Sequence, residues 1–170
     1  LVGMLFIMQS LISKDQFGGC RGKSVTMGFA TLLQKIIHGS FTGMGSLLSV
    51  VVFLDVKSCF DVISRPALLK TLKDRRFKAF MIHLIRDWMS GRKVVIRING
   101  SISESVKWPG SCPQGSLLSM AVWILFIDPI VEVIRKIDPD VQLVLYVDDI
   151  SICIKFDVEK YDPARLNRIN

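Results

Sequence analysis

LVLYVDDISICIK, residues 143–155, reads as two apolar strands separated by adjacent carboxylates, Asp148 and Asp149. An Asp-Asp pair in a tight turn is unremarkable alone, because Asp side chains hydrogen-bond to nearby backbone in turns. The pair gains meaning from a second strand far upstream. LLSVVVFLDV, residues 47–56, is continuously apolar and β-branched, which predicts a strand buried on both faces that ends on Asp55. Pairing of those strands would gather three carboxylates at one buried sheet end. Such anions repel one another and are costly to desolvate, so bound cations are favoured over a bare cluster. Oxygen donors without His or Cys suit Mg²⁺ or Mn²⁺. Two such ions activate an attacking hydroxyl and neutralise a leaving pyrophosphate.

The composition is compatible with that chemistry. The chain has 170 residues, 50% of them hydrophobic, enough for one ordinary core and too apolar for a disordered tail. A surplus of 22 Lys and Arg over 15 Asp and Glu gives a net charge of +7, which favours polyanionic partners. Cys20, Cys59, Cys112 and Cys153 are widely spaced, which argues against a zinc site or disulfide framework and for core thiols in a reducing, intracellular setting, nucleus or cytoplasm. The opening LVGMLFIMQSLI is too short to span a bilayer, so no membrane partner is expected; it reads as a helix cut at its start. The two ends together suggest a piece of a larger chain.

The remaining elements alternate. SVTMGFATLLQKIIHG predicts a helix capped by Ser24 and closed at Gly39, followed by a Gly-rich loop, FTGMGS. RPALLKTLKD and KAFMIHLIRDWMSG predict amphipathic helices, the first with Pro66 in its opening turn, the second ending at Gly91. KVVIRINGSISESVKW predicts a hairpin turning at Asn99-Gly100, a pair that favours a type I′ turn. A long apolar helix is expected from about Leu117, interrupted near Asp128-Pro129. Lys70, Lys73, Arg75, Arg76 and Lys78 read as a solvated helix face, and Trp88, Trp108 and Trp123 as packing residues without an aromatic ladder to the cations. His38 and His83 fall on apolar helical patterns and read as packing residues.

FLDVKSCFDVI, GSCPQGSLLSM and YVDD, in that order, resemble the first three palm motifs of reverse transcriptases, and the intervening segments are similar in order and length to those of non-LTR (LINE-type) retrotransposons. ISKDQFGGCRGKS resembles the family's fingers segment, usually QFGFRxGRS. The resemblance implies an α+β, right-hand polymerase palm, an antiparallel sheet on helices, with fingers-like residues 1–46, palm residues 47–170 and no thumb. It implies RNA-directed DNA synthesis from a deoxynucleoside triphosphate onto a DNA primer along an RNA template, within a larger polyprotein. Asp55, Asp148 and Asp149 are then the catalytic carboxylates, and two Mg²⁺ or Mn²⁺ ions are held by them and the Val56 carbonyl. Phe60 matches the gate that clashes with a 2′-hydroxyl; Gln114 and Gly115 match the loop touching the incoming nucleotide.

The sequence departs from the family pattern at several positions. Ser111 stands where Gly is usual, which predicts a strained turn, and Met120 where Pro is usual. Gly19, Cys20 and Lys23 replace Phe, Arg and Arg, and Val147 replaces the commoner Ala in what reads as a strand. Two other readings stay open: an inactive or domesticated relic that keeps a nucleic-acid-binding fold, and an RNA-templated RNA polymerase.

Overall fold

The computed structural model describes residues 10–40, 47–108 and 111–157. The expected N-terminal helix start, the FTGMGS loop and the C-terminal tail fall outside them. In chain order the elements are α1 (Val25–Ser40), β1 (Leu47–Asp55), α2 (Arg65–Asp74), α3 (Ala79–Trp88), β2 (Lys93–Val94), β3 (Arg97–Ile98), β4 (Ser101–Ile102), β5 (Val106–Lys107), α4 (Leu117–Ile127), α5 (Pro129–Ile137), β6 (Gln142–Tyr146) and β7 (Asp149–Asp157). They fall into two compact units: Leu1–Lys57 with Ile127–Asn170, and Ser58–Phe126.

The first unit is built on an antiparallel sheet in the order β1-β7-β6. Strand alternation divides its side chains between two faces. One face carries Val50, Leu143, Leu145, Ile150, Ile152 and Ile154, packed with Ile130, Val131 and Ile134 of α5. The other carries Val51, Val144, Tyr146 and Cys153, packed with Phe17 and with Leu32 and Ile36 of α1. Asp55 and Asp149 belong to this second face. The apolar run in β6 and β7 is therefore core between two helical layers.

β1 departs from the expected strand buried on both faces. Among the described strands it lies at the sheet edge, and towards Asp55 its side chains emerge: Phe53 is 70% and Leu54 45% exposed. A continuous apolar run does not by itself separate an edge from a central strand. The opposite edge, along β6, is covered. Phe17 N–H donates to Leu145 O (2.8 Å) and Leu145 N–H to Asp15 O (2.9 Å), adding a short parallel segment around Gln16.

In the second unit, α2 begins where the Ser64 hydroxyl accepts from Ala67 N–H, with Pro66 in the first turn, and buries Leu68 and Leu72. It packs against α3, which buries Met81 and Ile85. His83 is exposed on α3, so that helix pattern concealed a surface histidine; the side chain of His38 lies outside the description. Asn99 and Gly100 both have positive φ, 48° and 84°, as a type I′ turn requires. The hairpin is broken between Arg97↔Ile102 and Val94↔Val106, where the register slips by one residue, a β-bulge sealed by Ser103 Oγ accepting from Ile96 N–H.

Helices α4 and α5 follow one another at Asp128-Pro129 as expected. The stretch Leu117–Ile137 is long and apolar enough to cross a membrane by length and composition, but much of that apolarity is core: Val122, Trp123 and Leu125 are fully buried.

Candidate active site

Antiparallel register sets Asp55 opposite Asp149 at the end of the β1–β7 ladder, and Tyr146 opposite Asp149 on the other side. Only Val147 and Asp148 lie between the paired Tyr146 and Asp149, so the hairpin turns in two residues. Asp55 and Asp149 are exposed and Asp148 half-buried, which corrects the expectation of a buried anionic cluster. The sheet end is open because β1 is uncovered there, so solvent relieves the desolvation that a buried cluster would suffer.

Among the described residues no Lys, Arg or His pairs with these three carboxylates, and no three His, Cys, Asp or Glu side chains converge as a ready-made cation cage. The donor set is nevertheless oxygen-only and anionic, with the neighbouring Val56 carbonyl beside it in sequence. That fits a hard divalent cation completing its shell with water and phosphate oxygens. An open cleft of about 520 Å³ borders the same face, walled by Val25 and Phe29 of α1, by Phe53 and Tyr146, and by Asp55 and Asp149.

The turn is strained. Val147 has φ of 59°, the left-handed region, at the first of the two turn positions, where a type II′ hairpin prefers Gly. A β-branched residue there costs on the order of 1–3 kcal/mol and persists only where its surroundings hold it. Val147 is therefore a turn residue, not the strand residue expected.

What surrounds it comes from far upstream in the sequence, around Gln16. The Gln16 side-chain oxygen Oε1 accepts from Val147 N–H (3.2 Å) and from Gly18 N–H (3.0 Å). A Cβ on Gly18 would lie 2.5 Å from Val147 N and 2.6 Å from its Cγ2, so only glycine lets the segment approach the turn. Lys23 Nζ donates to Gln16 O (2.7 Å) and Lys14 O (2.6 Å) and sits 4.8 Å from the Phe17 ring centre. Asp15 is held by Arg135, Lys35 and Ser13 Oγ. Gln16 and Gly18 escaped the sequence reading as contributors to the turn; the only signal was a Gln between charged residues and Phe17, followed by two glycines.

Phe60, Gln114 and Gly115 belong to the second unit, with no placement relative to the carboxylates. Phe60 is half-buried, and its carbonyl accepts from Cys112 N–H (3.1 Å), which joins the first and second motif segments. Ser111 strengthens that junction: its hydroxyl donates to the Ile63 carbonyl (2.7 Å), with the Asp61 carbonyl at 3.3 Å sharing the same proton more weakly. Among the described residues the positive φ in this loop is at Gly115, 85°. Gly115 thus takes the conformation that glycine favours. Burial pushes the Cys112 thiol up to about 11, with Asp61 adding and Arg92 opposing. Arg92 stacks over the Trp88 ring at 4.6 Å, a cation–aromatic pair that the sequence reading had not expected. Lys70 pairs with Asp74 on the exposed surface of α2, as a solvated face would.

A three-stranded antiparallel sheet between helical layers, with carboxylates at a strand end and in the adjoining hairpin turn, is a palm-like α+β fold. The chain belongs to the reverse transcriptase (RNA-dependent DNA polymerase) family, whose model matches residues 5–165. It is 30% identical over 140 residues to the putative 115 kDa protein in type-1 retrotransposable element R1DM of Drosophila melanogaster, covering 82% of this chain and 13% of that protein. It is 25% identical over 151 residues to the RNA-directed DNA polymerase from mobile element jockey of the same organism, covering 85% of this chain and 16% of that protein. The chain thus spans less than a fifth of these relatives. Among solved structures, apo telomerase from Candida tropicalis, truncated from its C-terminal domain, matches 99% of this chain and 35% of its own with a TM-score of 0.68 at 12% identity, a likeness of fold.

Proposed function

We propose that this chain is the fingers and palm portion of an RNA-directed DNA polymerase of a non-LTR retrotransposon, with residues 1–46 fingers-like and 47–170 palm. The observation that carries the reading is the register of Asp55 against Asp149 with Asp148 in the adjoining turn, since it gathers acidic oxygen donors from two distant motifs at one sheet end. Asp55, Asp148 and the Val56 carbonyl would hold Mg²⁺ or Mn²⁺, with Asp149 the further carboxylate. Bound there, two such ions would lower the pKa of a primer 3′-hydroxyl and offset charge on the departing pyrophosphate.

The chain's own residues supply placement. The rigid β1–β7 ladder fixes where Asp55 and Asp149 project, and the two-residue turn limits the reach of Asp148. The open cleft beside them supports a site for the deoxynucleoside triphosphate. Phe60 is assigned to exclusion of ribonucleotides and Gln114 and Gly115 to the nucleotide-contacting loop. The net charge of +7 supports RNA template and DNA primer as partners.

Primer extension on an RNA template by the intact parent enzyme tests the reading. Asp55→Asn and Asp148→Asn should each abolish extension; wild-type-like synthesis by either refutes the assignment. Loss of synthesis in the unmutated parent, with template binding retained, would instead favour a relic.

A further inference from the structure

We propose that Gln16 is a positioning residue that holds the strained Val147–Asp148 turn in the conformation from which Asp148 projects. Strand pairing alone does not account for the turn. Tyr146 and Asp149 are tied to each other, and Val147 occupies a backbone region that its branched side chain disfavours. An acceptor aimed at Val147 N–H selects that conformation, and Gln16 Oε1 is such an acceptor at 3.2 Å.

Three features make Gln16 more than a filler. Its side chain is fully buried, and among the described residues its Nε2 has no hydrogen-bond partner. Met would fill comparable volume without burying an unpaired donor, so what Gln contributes here is the oxygen. Two N–H groups, of Gly18 and Val147, converge on that one atom, and this fixes the amide orientation, because the nitrogen end could accept neither. Finally, Gln16 is anchored from both sides: the backbone around it pairs with Leu145, and Lys23 holds its carbonyl. Gly18 completes the device, since any side chain there would push the turn away.

The inference rests on Asp148 as a cation ligand, and the test separates the two. Residue-resolved hydrogen exchange and Mn²⁺ titration are measured on the intact protein. Gln16→Met should speed exchange at Val147 and Gly18 by about tenfold, the scale of one lost hydrogen bond, and raise the Mn²⁺ half-saturation several-fold. Adding Val147→Gly, which removes the conformational penalty, should restore Mn²⁺ half-saturation. Wild-type protection in Gln16→Met, or no recovery in the double variant, overturns the proposal. Should Gln16→Met fail to fold, the Gln16→Met, Val147→Gly double variant decides: recovered folding with wild-type Mn²⁺ half-saturation supports the proposal, and failure to recover either overturns it. If Asp148→Asn leaves Mn²⁺ binding unchanged while Gln16→Met still releases Val147, the ligand assignment has failed and the Gln16 contact stands.

Discussion

Asp55 and Asp149 are register partners across the β1–β7 ladder, each with its side chain on the face that α1 partly covers. Like charges directly opposite on neighbouring strands destabilise a sheet, and among the described residues no cationic side chain pairs with either. The pair makes sense as a device for binding something positive, and its cost should be visible when nothing positive is there.

In chelator, Asp149→Asn should stabilise the protein by about 0.2–1 kcal/mol, the range for cross-strand pairs. Added Mg²⁺ should close the gap by stabilising the unmutated protein more, because an ion that binds only the folded state shifts the unfolding equilibrium. Urea denaturation in EDTA and in excess Mg²⁺ checks both halves. A variant no more stable than wild type in EDTA would remove the electrostatic argument.

Phe60→Ala should raise the ratio of ribonucleotide to deoxynucleotide incorporation by at least about tenfold in the parent enzyme, the scale of about 1.4 kcal/mol of lost steric discrimination. The Phe60 carbonyl, not its ring, bonds Cys112 N–H, so truncating the ring leaves that link between the motif segments intact. Single-nucleotide extension with matched ribo- and deoxynucleotides gives the ratio. An unchanged ratio would return Phe60 to a packing role.

How much of this was legible depends on whether a feature is local. Asn99-Gly100, Pro66 and the break at Asp128-Pro129 were readable because each dictates its own backbone. The strands ending at Asp55 and in the turn at Asp148 were readable as elements, but their pairing was only a condition of the argument until the structure supplied it. The exposure of Phe53 was not, because the same apolar run suits an edge or a centre, and only tertiary packing chooses. Nor was Val147, since its left-handed backbone is imposed by a two-residue turn and by Gln16, a residue remote in sequence. Ser111 shows the reverse: a substitution read only as strain brings a hydrogen bond.

Ser111→Gly, which restores the residue usual in the family, should therefore destabilise this protein. The change deletes the hydroxyl bond to the Ile63 carbonyl, shared more weakly with that of Asp61, and frees the backbone of the unfolded chain, together worth roughly 1–2 kcal/mol. A lower denaturation midpoint at unchanged slope is expected. Equal or greater stability would mean that the hydroxyl contributes nothing.

Cys112 adjoins that junction, and its thiol should be the slow one. Its pKa lies at about 11 against an ordinary 9.0, chiefly through burial, so at pH 8 the folded protein holds almost no thiolate there. The folded form keeps a proton that the unfolded form has released between those values. This contribution to stability is therefore intact below pH 9 and declines as pH rises towards about 11. Alkylation by iodoacetamide, followed residue by residue, should show Cys112 still accelerating above pH 9 in the folded protein and levelling near pH 9 in urea. A folded-state midpoint at the urea value would mean that the residue is open to water, and that the packing joining Phe60 to the CPQGS loop is loose.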